Sequence, residues 1–105
     1  MLAVHRSCQR ELGDLPRLVR EDLADAIARL EEGHMLSMPL SRPMPSIGPG
    51  AHELRLRERS GVYRVIYVLL NRGSVVLLHA FKKTTEATSP RHIEVARTRL
   101  KEVRQ

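Results

Sequence analysis

Arg55, Arg57, Arg64, Lys82 and Lys83 crowd the middle of this chain. Guanidinium and ammonium groups hold phosphate oxygens and stabilise negative charge that develops on them. Catalysis by paired carboxylates would need acids in the same place, and the acidic residues fall mainly in segments that read as helices. Phosphate chemistry is therefore the first expectation. Sharing of a face depends on register. Leu54 and Leu56 alternate with Glu53, Arg55 and Arg57, the period-two pattern of a half-buried strand. If Ser60-Gly61 is a two-residue turn, Arg57 opposes Arg64; if Arg72-Gly73 is the next turn, Leu70 opposes Val75 and Arg64 opposes Phe81. Arg55, Arg57, Arg64, Phe81 and Lys83 then share one face. A three-residue second turn brings Lys82 there instead, so both lysines stand as candidates. Like charges set directly opposite destabilise a sheet, so an arginine pair kept there points to an anion. Solvated charge on an open sheet face is the competing reading.

The elements that must position these residues are three successive strands, His52 to Glu58, Val62 to Leu70 and Ser74 to Lys83, the second and third rich in β-branched residues. Ahead of them, Leu2 to His5 reads as a short strand, Ser7 suits a helix cap, and Gln9 to Leu12 suits a single helical turn. Asp14-Leu15-Pro16 is a second start signal. From there Val19, Leu23, Ala26, Ile27 and Leu30 recur at helical spacing, and Gly33 ends the run. That apolar stripe needs a surface, and the leucine face of the strands supplies one. His34 to His52 carries prolines at 39, 43, 45 and 49 and reads as an irregular crossing, with Met35, Leu36, Met38 and Leu40 pinning it to the core. Ser89-Pro90 opens a last helix with Ile93, Ala96, Leu100 and Val103 on one side. Arg97, Lys101 and Arg104 line another side, read first as a solvated face. The fold class is α+β, one domain over residues 1–105.

Composition narrows the partners. At 105 residues there is room for one modest core, and a net charge of +6 favours a polyanion, nucleic acid before membrane. Only 3% of residues are aromatic, too few for a base-stacking platform. Cys8 stands alone, which excludes an internal disulfide and a thiolate metal cluster. His5, His34, His52, His79 and His92 are scattered without ligand spacing, so no metal and no cofactor is expected. His79, inside an apolar strand, reads as a satisfied core histidine; His52 and His92 read as nearer the surface. There is no glycine-rich phosphate loop, no HExxH and no G-x-S-x-G. No run is long enough to cross a bilayer and no export signal stands at the amino terminus, so a cytoplasmic protein is expected.

The segments ELRLRERSGVYRVIYV, LLHAFKKT and IEVARTRL, in that order and spacing, resemble the HigB-like branch of the RelE/ParE toxin superfamily of type II toxin–antitoxin pairs. The likeness runs over nearly the whole chain from Gln9. It implies an antiparallel sheet of three to five strands with two amino-terminal helices and one carboxyl-terminal helix. It implies metal-independent cleavage of messenger RNA, in most relatives on the ribosome, and neutralisation by an antitoxin that is commonly a helix-turn-helix DNA-binding protein. A basic residue on one strand and an arginine seven positions later are catalytic in such toxins, and Arg57 and Arg64 match. A further basic residue ends the following strand, where Lys83 fits best and Lys82 next. Arg55 and Phe81 would contact RNA, and His92 matches a late histidine or tyrosine that completes the site in relatives. Between Thr84 and Thr88 this chain is one residue longer than the family pattern. On this reading Arg64 is functional rather than core, and its removal should leave the fold intact. The competing classes are a ParE-like gyrase inhibitor and a catalytically inactive module that binds RNA or the antitoxin. For the proton acceptor, Lys82 or Lys83 flanked by other cations is favoured over an arginine.

Overall fold

The computed structural model describes residues 1–71, 73–84 and 87–104. Its elements run β1 (Leu2–Val4), α1 (Arg6–Gly13), α2 (Arg17–Glu31), β2 (Ser41–Pro43), β3 (Ala51–Glu58), β4 (Gly61–Asn71), β5 (Ser74–Lys82) and α3 (Pro90–Val103). The strands form one sheet in the order β1-β5-β4-β3-β2. All neighbours are antiparallel except β1, which lies parallel to β5. The α+β architecture is the one expected, with this parallel edge as the amendment. α1 starts directly after β1, with the His5 ring accepting the Ser7 N–H at 3.1 Å, so the cap is His5 and not Ser7. Asp14, expected to open the second helix, instead closes the first.

Each face of the sheet has its own core. The α2 stripe of Val19, Leu23, Ala26, Ile27 and Leu30 packs with Cys8 of α1 on Leu54, Leu56, Val65, Tyr67, Val75 and Leu77. α2 ends in paired bonds, Gly33 N to Leu30 O and His34 N to Arg29 O, with Gly33 at φ 90° as this closure demands. The opposite face buries Ile66, Val68, Val76 and Leu78 under Ala96 and Leu100 of α3 and under Met44 and Ile47 of the long connection. That second covering decides how open the arginine face is. Arg97 and Arg104 tie the connection down by donating to the carbonyls of Ser46 at 2.7 Å and Pro49 at 2.7 Å, so this part of the α3 stripe is strapping rather than merely solvated.

The connection holds β2, which its prolines had masked. Pro43 is tolerated there because β2 is an edge strand and needs no donor on its outer side. Leu36 and Leu40 dock as expected, whereas Met35 and Met38 are exposed.

Candidate nucleic-acid interface

The first hairpin turns one residue earlier than glycine placement suggested. Glu58 pairs with Gly61, so Arg59-Ser60 form the turn, and the Glu58 carboxylate accepts the Ser60 N–H. Arg64 therefore opposes Arg55, and Arg57 opposes Val62. In the second hairpin Asn71 pairs with Ser74 and Leu69, not Leu70, with Val75; Arg72 of this turn lies outside the described residues. Register shifts near Leu69 and Ile66 cancel, and Arg64 meets Phe81 as expected. Lys83 extends the ladder by donating its N–H to Val62 O at 2.8 Å.

The face is thus built of three rows across β3, β4 and β5. The row nearest the first turn is Arg57, Val62 and Lys83; the next is Arg55, Arg64 and Phe81; the third is Glu53, Ile66 and His79. Exposure falls from row to row. Arg57 is exposed, Val62 and Lys83 are half-buried, and the third row lies under α3. Strand spacing sets the Arg57 and Lys83 backbones about 10 Å apart, a span that two long side chains can close over one phosphate. Lys82 pairs with Tyr63, which points into the α2-side core, and holds its ammonium 5.9 Å from the Tyr63 ring centre. It does not share the arginine face.

Arg64 departs most from expectation. Its side chain is 1% exposed and that of Glu53 0%, and Arg64 Nη1 lies 3.3 Å from Glu53 Oε1. Arg42 of β2 reaches the same oxygen at 3.2 Å. Thr88, just before α3, accepts from Arg64 Nη1 at 2.7 Å and donates to Glu53 Oε2 at 2.5 Å. A carboxylate therefore sits on this face after all, between two guanidinium groups, and Arg64 belongs to the interior. Glu53 has the strand parity of Arg55 and Arg57, so alternation alone placed it there. Arg42 and Thr88 left no such signal. Thr85 and Glu86, in the segment leading to Thr88, lie outside the described residues.

Beside this cluster Glu11 of α1 reaches across the end of the sheet. Its Oε1 accepts from His79 Nδ1 at 3.0 Å, Ala80 N at 3.0 Å and Arg99 Nη1 at 2.7 Å, and its Oε2 accepts from Arg99 Nη2 at 3.0 Å. Burial opposes ionisation of Glu11, but these donors outweigh it and hold the carboxyl below its ordinary range. His79 Nε2 lies 2.8 Å from His92 Nδ1. The His92 ring lies on Phe81, centroids 3.7 Å apart and planes 9° apart. Burial lowers the pKa of both histidines, Glu11 partly offsetting it for each. His79 is the satisfied core histidine the strand pattern implied, and it ties two candidate residues, Phe81 and His92, to Glu11 of α1. Among the described residues no group of His, Cys, Asp or Glu is arranged to hold a metal ion.

The sequence profile of phage-derived Gp49-like proteins matches residues 10–101. The chain belongs to that family. No curated protein matches the Gp49-like sequence. Among solved structures, the isolated Escherichia coli RelE toxin is similar at TM-score 0.58 and 20% identity, covering 98% of this chain and 97% of that one. A free-state RelE variant with two arginines replaced by alanine gives TM-score 0.51 and 19% identity, covering 98% and 96%. The Gp49-like chain therefore has the RelE fold.

Proposed function

We propose that this Gp49-like protein is the toxin of a type II toxin–antitoxin pair, close to the HigB-like branch, and that it cuts messenger RNA on translating ribosomes. One observation carries the reading: at the hairpin end of the RelE-fold sheet, exposed Arg57 and half-buried Lys83 flank Val62 in one row, next to the Phe81–His92 ring pair. The row suits a scissile phosphate. Arg57 and Lys83 hold it and stabilise the charge of the pentacoordinate transition state, while Arg55 positions the backbone and the ring pair offers a stacking surface. Arg64, locked to Glu53, serves as scaffold beneath them. The ribose 2′-hydroxyl attacks its own phosphate, so the reaction needs no metal cofactor. A cytoplasmic location and a helix-turn-helix antitoxin covering the basic face complete the proposal. Among the described residues no helix is long and apolar enough to cross a membrane.

The neutralised Arg64 favours one second reading, an inactive module that binds RNA or the antitoxin without cutting. Ribosomes kept intact by polyamines and programmed with a defined message separate the two. Cleavage that persists in excess chelator and leaves a 2′,3′-cyclic phosphate and a 5′-hydroxyl is the result expected. Replacing the ribose 5′ of the cut by deoxyribose should abolish cleavage and leave binding nearly intact. An intact message under these conditions, with the protein still bound, selects the inactive module. 5′-Phosphate products would show that water is the nucleophile.

A further inference from the structure

We infer that Glu11 and His79 form a positioning relay that holds His92 with its Nε2 unprotonated, so that His92 takes the 2′-hydroxyl proton in the proposed RNA cleavage. The inference rests on that functional reading and adds to it the group that accepts the proton, in place of either lysine. Lys82 faces away from the cation row, whereas His92 lies on Phe81, whose strand partner is Arg64.

The argument is one of tautomers. Glu11 Oε1 is held ionised by Arg99 and the Ala80 N–H, so it can only accept, and His79 Nδ1 at 3.0 Å must carry the proton. A neutral His79 then has a bare Nε2, which accepts from His92 Nδ1 at 2.8 Å. With its proton on Nδ1, His92 presents a bare Nε2 on the ring edge away from His79. Arg99 Nη1 also lies 3.3 Å from His79 Nδ1 and would favour the reverse order by donating to it. The carboxylate wins because its contact is shorter and because Arg99 already makes a two-pronged bond to Glu11. Burial is the main cause that keeps His92 neutral, and Arg91 on its own helix acts with it, as would His79 on β5 were it to gain a proton; Glu11 on α1 and Glu53 on β3 favour protonation of His92. Burial and the cations prevail, so the base is neutral at physiological pH.

In the step itself the 2′-oxygen forms its bond to phosphorus as its proton passes to His92 Nε2. The bond to the 5′-oxygen breaks, and that oxygen takes a proton from water. The imidazolium returns its proton to solvent, so the reaction is a balanced transesterification. The new cation is stabilised through His79 to the Glu11 carboxylate, which need not itself become protonated.

The test uses full-length protein in two arms. Nitrogen-15 NMR of the imidazole rings should show both histidines as the Nδ1–H tautomer at neutral pH. Glu11→Gln should destroy that preference, because the amide no longer demands a proton at His79. In the second arm, His92→Asn should cut the programmed message ~10²–10⁴-fold more slowly, the range of general-base catalysis, and lose the acidic limb of the pH–rate profile. Glu11→Gln should reduce the rate less and shift that limb, an effect that simple loosening of the fold does not produce. His79→Gln guards against Glu11→Gln failing to fold: it keeps side-chain hydrogen bonding but cuts the link from Glu11 to His92, and should likewise displace the limb and loosen the tautomer preference. An Nε2–H tautomer at His92 in the wild type overturns the relay. The expected tautomers with wild-type cleavage by His92→Asn overturn the base. A wild type that never cuts RNA while keeping the Nδ1–H tautomers refutes the nuclease reading and, with it, the catalytic use of an array that is nevertheless ordered as described.

Discussion

At the scale of single residues, the chemistry of the arginine face turns on which cations are free to move. Arg57 is exposed, and Arg57→Ala should change stability by no more than about 0.5 kcal/mol while slowing cleavage ~10²–10³-fold, the usual cost of one charge-stabilising donor. Arg64→Ala should behave in the opposite way. It strips Glu53 of a buried partner, which typically costs about 3–5 kcal/mol and will show as a lowered denaturation midpoint. If Arg64→Ala unfolds at the wild-type midpoint, the buried cluster is not what holds these strands. Alternation put Arg57 on the arginine face; for the strand-end cation it left Lys82 and Lys83 both open, and only the resemblance placed Lys83 first. Arg64's interior fate was not legible, because the cluster that buries it draws Arg42 from β2, Glu53 from β3 and Thr88 from the segment before α3, three places far apart in the chain. The neighbouring chain of Glu11, His79 and His92 shapes the pH response. His79 and His92 have lowered pKa values, so below the ordinary 6.5 the unfolded chain takes up protons that the folded chain refuses. Their contribution is full above that value and is lost as pH falls toward the lowered ones. Glu11, also lowered, adds a second loss below its ordinary 4.5. Denaturation midpoints should therefore fall in two stages on acidification, and His79→Gln should flatten the first. A midpoint constant from pH 7 to 5 in the wild type would contradict this.

At the scale of elements, hairpins and the α2 stripe were readable because their signals are local, a glycine near a turn and an apolar residue each helical turn. The one-residue error in the first turn arose because Glu58 binds Ser60 N–H and so makes Arg59-Ser60 the turn, while Gly61 becomes the first residue of β4. The shift replaced Arg57 with Arg55 opposite Arg64 yet kept all three on one face, since direct partners and residues two apart share a side. β2 escaped notice because a three-residue edge strand has no periodicity to read. Its junction with β3 is held by Gly50, which sits at φ 78° and whose missing Cβ would lie 2.8 Å from the Leu69 carbonyl oxygen. A side chain there meets backbone rather than a yielding side chain, and Gly50 O also accepts from Leu69 N at 3.0 Å. Gly50→Ala should cost about 1–3 kcal/mol, from left-handed strain and the forced separation of β3 from β4. Gly13→Ala is the control, since nothing lies within 4 Å of the added carbon. Equal midpoints for the two variants would show that the approach at Gly50 is easily relaxed.

At the scale of the whole molecule, the site exists only while α3 stays on the sheet. Thr88 lies in the segment that leads into that helix and His92 in its first turn, while their partners Glu53, Arg64, His79 and Phe81 belong to β3, β4 and β5. Docking is carried by the apolar side of α3, where Leu100 is 5% exposed among Ile66, Val68, Val76 and Leu78. It is helped by Arg99 gripping Glu11 of α1 and by Arg97 and Arg104 gripping the connection. Leu100 lies two turns beyond His92 and has no part in the proposed chemistry. Leu100→Ala should cost about 2–5 kcal/mol through lost burial and the cavity left behind. The loss should not be uniform. The opposite face has its own core around α2, so α3 can lift while β3, β4 and β5 remain paired. Hydrogen exchange in Leu100→Ala should then show α3 amides losing more protection than those of β4. Cleavage should fall with the docked fraction, and the His92 tautomer signal should broaden with it, although no site residue has been touched. Equal loss of protection in α3 and β4 would mean that the helix leaves only when the whole fold opens, and the site would then be as stable as the protein itself.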